Sequence, residues 1–375
     1  MSLSLSTRAI ELAATLSSSG ITVNHFVGHL AYGDAVSSDT FDKWRTLRAL
    51  GIPGELYCGV PDTHYSAISK PLSAHKPSPN ELLVFHYSVW SETAEYLREK
   101  TSAPMLLIYH NVTPSRWFQG WHQQAETDTR MGRERLGVYL DRQVYAVGDS
   151  EFNRRELELV GYRSTGVTPI MVNFNRFAHE PNLDIVKEFR DGYVNILSVG
   201  RIAPNKCHED TIKTFYFYKR LINPRSRLFI VGSTVVDEYR AWLERFAIKL
   251  GLAPHVIITG HVSDTDLAAY YACADVFVTM SEHEGFCVPI LEAMAASVPV
   301  MGFDAAAIPI TIADAGVLLK HKRHDVAAET LSQMLSHVQL RKNLIKRGHE
   351  RVADFSPEKT ASNLVVAVAR ALQIT

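Results

Sequence analysis

The sequence predicts an α/β protein made of two doubly wound parallel-sheet domains facing a central cleft. Three observations predict it. The chain has 375 residues, more than a single core usually holds. In both halves, short apolar runs alternate with longer segments of helical periodicity, the pattern of a parallel sheet covered on both faces. Between the two series lies a polar stretch, residues 174–192, which contains a Pro and a Gly.

The first series opens with helix-like spacing over residues 5–19, which Gly20 ends. Strands follow at Ile21–Val27, Leu82–His86, Met105–Tyr109 and Val144–Val147, with helical segments at Phe41–Leu50 and Ser91–Lys100 among them. The second series has strands at 195–199, 228–231, 256–259, 276–279 and 298–303. Its helices read 207–221, 236–250, 264–273 and 289–296. A last helix, Pro357–Leu372, has Ser356 as N-cap and Pro357 at its first position. The expected division is a first domain over 1–175, a linker over 176–192 and a second domain over 193–355. The closing helix, 356–375, is expected to pack back toward the first domain. No short-period repeat and no low-complexity segment interrupts this order.

Lys plus Arg number 39 and Asp plus Glu 40, so no global basic field exists to hold nucleic acid or an anionic membrane. The four cysteines, Cys58, Cys207, Cys273 and Cys287, form no Cys-x-x-Cys pair. That argues against a disulfide framework or a structural zinc site and fits a reducing cytosol. The first 20 residues lack a secretory pattern, and no apolar run approaches the roughly 20 residues that span a bilayer. The expected location is cytoplasmic, at most peripheral to the inner face of a membrane.

The most informative segment runs from Ser281 to Met294, directly after a strand. Gly285 permits a tight turn, and Pro289 suits a first helical position. The amides of Phe286, Cys287 and Val288 then lie at a helix N-terminus, where a diphosphate fits. Glu292, read in the first turn, can accept two hydrogen bonds from a ribose diol, and Glu284 sits eight residues earlier in the loop. The bland alternative is that both carboxylates only favour the helix N-terminus. A second strand runs into Gly200, Arg201 and Lys206, two cations suited to a diphosphate; the alternative is a solvated surface pair. A third strand end carries Val262, placed to lie against a flat base, with Ser263 or Asp264 capping the next helix.

Together these residues resemble the retaining glycosyltransferases of family four (group 1), which have the two-domain, Rossmann-like GT-B fold. The Glu-x7-Glu motif is Glu284 to Glu292, and the Gly-Arg…Lys loop is Gly200, Arg201 and Lys206. In the first half, Tyr109-His110-Asn111-Val112-Thr113-Pro114 is similar to the family's His-Asn-x-Thr-Pro segment. Tyr32-Gly33-Asp34-Ala35-Val36 is similar to its glycine loop after the first strand, which implies that Gly33 meets donor phosphates or acceptor, with one glycine where the family has a pair; Asp149–Phe152 matches a further stretch.

The resemblance implies a nucleotide-sugar donor whose diphosphate meets Arg201 and Lys206. It implies that Glu292 binds the ribose, and that Glu284 with the amides of Phe286 and Cys287 holds the transferred hexose. His110 would reach across the cleft; the alternative is a structural, hydrogen-bonded histidine. The reaction would retain anomeric configuration by a front-face route, since no carboxylate is free to act as nucleophile. No metal or other cofactor is implied. His283 between Glu282 and Glu284 does not make a ligand set.

The acceptor, a carbohydrate, a lipid-linked glycan or a protein, is expected to belong to surface or exported glycan assembly. Trp117–Trp121 suits sugar stacking or ordinary packing. Arg130, Arg133, Arg135 and Arg142 form a solvated helix face or meet an anionic lipid. Two other readings stay open: an epimerase-like GT-B enzyme acting on the sugar nucleotide, and a catalytically silent glycan-assembly partner on the same fold.

Overall fold

A computed structural model describes residues 5–174 and 180–374. These form two units: residues up to 116, 124–172 and from 355 onward make unit 1, and 117–123 with 173–354 make unit 2. The part of the expected linker at 175–179 lies outside the described residues.

Unit 1 runs α1 (Thr7–Ser18), β1 (Thr22–Leu30), α2 (Ala35–Ala49), β2 (Leu56–Pro61), β3 (Lys70–Pro71), β4 (Glu81–Tyr87), α3 (Glu92–Lys100), β5 (Met105–Tyr109), α4 (Gln123–Glu134), β6 (Val144–Gly148), α5 (Glu151–Val160) and β7 (Thr165–Val167). Its seven parallel strands are ordered β3-β2-β1-β4-β5-β6-β7. The central strands β4 and β5 are buried along their whole length, which is why they read as near-continuous apolar runs.

Unit 2 runs α6 (Leu183–Phe189), β8 (Val194–Val199), α7 (His208–Leu221), β9 (Ser226–Val231), α8 (Asp237–Lys249), β10 (Val256–Gly260), α9 (Asp264–Cys273), β11 (Val276–Thr279), α10 (Val288–Ala295), β12 (Val300–Phe303), α11 (Ile308–Ile312), β13 (Val317–Leu319), α12 (His324–Ser336) and α13 (Val338–Ala353). Its six parallel strands are ordered β10-β9-β8-β11-β12-β13.

The last helix, α14 (Pro357–Ala371), belongs to unit 1. Ser356 caps it by accepting from the Lys359 amide, and its Leu364, Val365 and Val368 are fully buried. They pack with Ala9, Leu12, Ala13 and Leu16, the i, i+3, i+4, i+7 stripe of α1, in one core cluster. The Ser6 amide donates to Ser362 Oγ at 3.1 Å, tying the start of α1 to the second turn of α14. Residues 5–19 thus cover α14, a role their sequence alone did not supply.

Three expectations change. The expected linker contains α6, capped by Asn182 and belonging to unit 2; Phe189 packs on Phe229 with ring centroids 4.8 Å apart. One buried anchor among polar neighbours leaves little periodicity to read. Helix α2 starts at Ala35, six residues before the expected 41, because the Asp34 side chain accepts from the Ser37 amide. Helix α10 starts at Val288, so Pro289 is its second residue and Glu292 lies in its second turn.

Candidate active site

The strand order of unit 2 reverses between β8 and β11, and open α/β sheets hold ligands at the carboxyl ends of such a pair. The loops leaving these two strands carry Arg201 with Lys206, and Glu284 with Gly285. Asn205 stitches the loops together. Its side-chain amide donates to His283 O at 3.0 Å, while its carbonyl accepts from the Glu282 amide at 3.0 Å and from the Ser281 hydroxyl at 3.1 Å.

Across this joint, Lys206 Nζ lies 2.7 Å from both carboxylate oxygens of Glu284. Glu284 is 8% exposed, so the pair sits in a partly desolvated setting where a charge-assisted contact is strong. Arg201 is exposed at the head of the same loop, one residue after Gly200. His208, the first residue of α7, bonds through Nε2 to the Arg201 carbonyl at 3.2 Å. Burial pushes its imidazole down to about 4, so it is neutral at pH 7.

Both loops end alike. Cys207 (φ 49°) precedes α7 and Cys287 (φ 72°) precedes α10, each a non-glycine residue in the left-handed region. Non-glycine strain of this kind clusters where surrounding structure over-determines the backbone. Cys287 is buried; burial and the neighbouring Glu284 push its thiol well up, so it stays protonated. Phe286 is buried and its carbonyl accepts from Thr311 Oγ1. Glu292 is buried too, and the Tyr271 hydroxyl donates to its Oε2 at 2.9 Å. Val288 opens α10, and half-buried Val262 follows β10, where Ser263 caps α9 by accepting from the Asp266 amide.

A second set of charges braces the β11 loop. Lys322 Nζ bonds Glu282 Oε1 at 2.6 Å and Asp210 Oδ2 at 2.7 Å. Burial alone would raise Asp210, but bonds from His324, Lys213 and Lys322 outweigh it and hold the carboxyl well below its ordinary range.

In unit 1, Gly33 (φ 81°) turns the chain between β1 and the Asp34 cap. The His110 side chain is fully buried, with Nδ1 2.9 Å from Asp149 Oδ2 and Nε2 2.9 Å from His86 Nδ1. Both ring nitrogens are therefore taken by unit 1 residues, as in the hydrogen-bonded alternative to a ring that reaches across the cleft.

The comparisons with known proteins enter on this geometry. Residues 180–351 match the family described as "Glycosyl transferases group 1". That span contains both β8 and β11 loops. This chain is a glycosyltransferase, and its second half is similar to the group 1 family.

The glycosyltransferase is 25% identical, over 97% of its length and 87% of the relative's, to the D-inositol 3-phosphate glycosyltransferase of Streptosporangium roseum. It is 34% identical to the O-antigen chain mannosyltransferase B of Escherichia coli, over 46% of this chain and 44% of that protein. Its fold matches the sucrose-phosphate synthase of Thermosynechococcus elongatus, with a TM-score of 0.72 and 19% identity over 94% of this chain and 99% of that one. WaaG, a glycosyltransferase involved in lipopolysaccharide biosynthesis, matches with a TM-score of 0.66 and 16% identity over 94% and 99%. The fold is GT-B, and the enzyme is of the class that uses nucleotide-sugar donors.

Other expectations in the glycosyltransferase find ordinary structural partners. Arg133 donates to Val112 O and Glu156, Arg142 to Leu97 O and Thr101 O, and Arg130 pairs with Glu134. Arg135 lies over the Trp90 ring and pairs with Glu95. Trp121 packs edge-on to Tyr239, centroids 5.3 Å apart.

Asp39, His86 and His110 stand close enough to share an ion, as do Cys207, Glu209 and Asp210. In each set a lysine ammonium already bonds the aspartate: Lys43 to Asp39, and Lys213 with Lys322 to Asp210. The four cysteines are free and buried, and among the described residues no helix is long and apolar enough to cross a membrane.

Sequence reasoning missed Asn205, Tyr271, Lys322 and Asp149 as partners of the site residues. His86 carried a usable signal, since it directly follows the apolar run Leu82–Phe85 in a fully buried strand.

Proposed function

We propose that the protein moves a hexose from a nucleotide-sugar donor to an acceptor with retention of anomeric configuration and without a metal. The observation that carries this reading is the Lys206–Glu284 pair, with Arg201 exposed beside it, at the strand ends where the unit 2 sheet reverses order. A donor diphosphate takes Arg201 and Lys206 as cations, and Glu284, released from Lys206, accepts hydrogen bonds from sugar hydroxyls. The amides of Phe286, Cys287 and Val288, with Gly285 allowing close approach, lie at the start of α10. Glu292, held by Tyr271, accepts from the ribose diol, and Val262 lies against the base.

The chemistry is a front-face displacement. The acceptor oxygen attacks the anomeric carbon as the bond to the diphosphate oxygen breaks, and the acceptor's proton passes to the departing diphosphate. Arg201 and Lys206 stabilise the charge that develops there, so positioning and electrostatics supply most of the rate. Surface or exported glycan assembly is the proposed setting, in the cytoplasm or at the inner face of the membrane.

The test is nucleotide release from a donor panel in the presence of chelator. GDP-mannose belongs on it because several relatives are described as GDP-mannose-dependent, and UDP-glucose because solved structures of the fold hold it. Release from one donor, lost in Glu284→Ala and Arg201→Ala, supports the reading; inverted product or dependence on a divalent ion overturns it.

A further inference from the structure

Unit 1 carries a row of buried polar side chains that the transfer reading leaves unused. His25 lies on β1, His86 on β4, His110 directly after β5 and Asp149 directly after β6. The contacts run in one line. Asp149 Oδ2 meets His110 Nδ1 at 2.9 Å, His110 Nε2 meets His86 Nδ1 at 2.9 Å, and His86 Nε2 meets His25 Nδ1 at 3.1 Å. The rings are stacked, His86 on His110 with centroids 5.2 Å apart and His25 on His86 at 5.3 Å. Among the described residues, His25 Nε2 and Asp149 Oδ1 have no hydrogen-bond partner.

The protons in this row can be counted. An ionised carboxylate only accepts, so His110 carries its proton on Nδ1. A neutral ring then has a bare lone pair at Nε2, which must accept from an N–H on His86 Nδ1. By the same step His86 Nε2 accepts from His25 Nδ1. The row ends on His25 Nε2 as an unpartnered acceptor, and a buried orphan N–H is the rarer alternative. An extra proton on His110 would oppose the N–H of His86, and one on His25 Nε2 would find no acceptor. Two groups on α2 face the row: Asp39, 3.9 Å from His110 Nε2, and Lys43, which bonds Asp39 and the Pro169 carbonyl. Burial with the nearby Lys43 charge depresses His25, and burial with the neighbouring rings depresses His86, so both stay neutral.

We propose that Asp149, His86 and His25 are positioning residues that lock His110 in one neutral tautomer, protonated at Nδ1. His110 then enters transfer as a fixed ring and not as an acid or base. The part played in transfer rests on the proposed function above; the tautomer row stands apart from it.

The test is nitrogen NMR of the full chain labelled in its histidine rings. The expected result is three neutral rings protonated at Nδ1, unchanged from pH 6 to 8. Asp149→Ala removes the acceptor that sets the direction, so all three rings should lose their single Nδ1–H tautomer together. Its kcat should fall about 10- to 100-fold with donor KM within about twofold, as for a misplaced site group. Asp149→Asn keeps an acceptor oxygen, and with Oδ1 unpartnered the amide is free to turn that oxygen to His110. This variant should keep the Nδ1–H tautomer and most of the activity, and it supports the comparison if the alanine variant does not fold. A wild-type His110 that is doubly protonated or protonated at Nε2 overturns the proposal. So does a change at His110 without one at His86 and His25, or an asparagine variant as impaired as the alanine one. If no donor turns over in the wild type, the proposed function fails, and the wild-type spectrum still decides the row.

Discussion

Lys206 and Glu284 form a two-point ion pair, 2.7 Å at each carboxylate oxygen, between the loops that leave β8 and β11. In the proposed reaction a donor diphosphate and Glu284 would therefore compete for one ammonium. Glu284→Ala frees Lys206, so the affinity for a free nucleoside diphosphate should rise severalfold while sugar transfer is lost. Lys206→Ala should weaken the same nucleotide by about 10- to 100-fold, since a charge-assisted bond is worth about 1.5–3 kcal/mol. Calorimetric titration of both variants decides it; weaker nucleotide binding in Glu284→Ala would show that the carboxylate does not compete.

Glu292 is buried on the second turn of α10 with the Tyr271 hydroxyl 2.9 Å from Oε2. Tyr271→Phe removes that donor and leaves the carboxylate less well held. Ribose recognition should suffer by about 1–2 kcal/mol, read as a rise of roughly 5- to 30-fold in nucleotide Kd. The same substitution should leave affinity for inorganic pyrophosphate unchanged, because the Tyr271 hydroxyl bonds α10, at Glu292 and the Pro289 carbonyl. An equal loss for both ligands would mean that the tyrosine supports the whole site.

Much of this arrangement was legible in the residues. Apolar strands followed by Gly-Arg or Glu-Gly loops placed Arg201, Lys206 and Glu284 after strand ends and Glu292 near a helix start, because a strand's end and a helix's start are local events. What was hidden is what depends on pairing across the fold. The direct bond between Lys206 and Glu284 depends on β8 lying beside β11, and these strands are separated by β9 and β10 in sequence. His110 illustrates the same limit. Its strand-end position was readable, but its ring is consumed by Asp149 and His86, which arrive from two other strands. Helix α6 escaped for a different reason: its hold on unit 2 rests on Phe189 and the Asn182 cap, too little for a periodic signal.

The contact between α1 and α14 should govern the stability of unit 1. Leu16 of α1 is 1% exposed and Leu364 of α14 is fully buried in the same cluster. Truncating either to Ala leaves a cavity in the cluster that α1 and α14 share with the sheet, at about 2–5 kcal/mol. Urea unfolding of Leu16→Ala and Leu364→Ala should show losses of that size, and the double variant should lose less than their sum because the residues share a cluster. Full additivity would mean that the two helices do not depend on each other.

Acid should destabilise the protein before its carboxylates titrate. Burial, with the Lys43 charge, holds His25 down to about 3, and burial holds His208 down to about 4, against an ordinary value near 6.5. The unfolded chain therefore takes up these protons first as pH falls. The stability contributed by each neutral ring is fully present above about pH 6.5 and is lost progressively toward the folded values. At pH 5 the loss is about 2 kcal/mol for each ring. Denaturation at pH 7.5 and pH 5.0 should resolve it, and His208→Gln, which cannot be protonated, should remove about 2 kcal/mol of the difference. A variant with the wild-type pH dependence would mean that His208 already carries a proton in the folded enzyme, contrary to its burial.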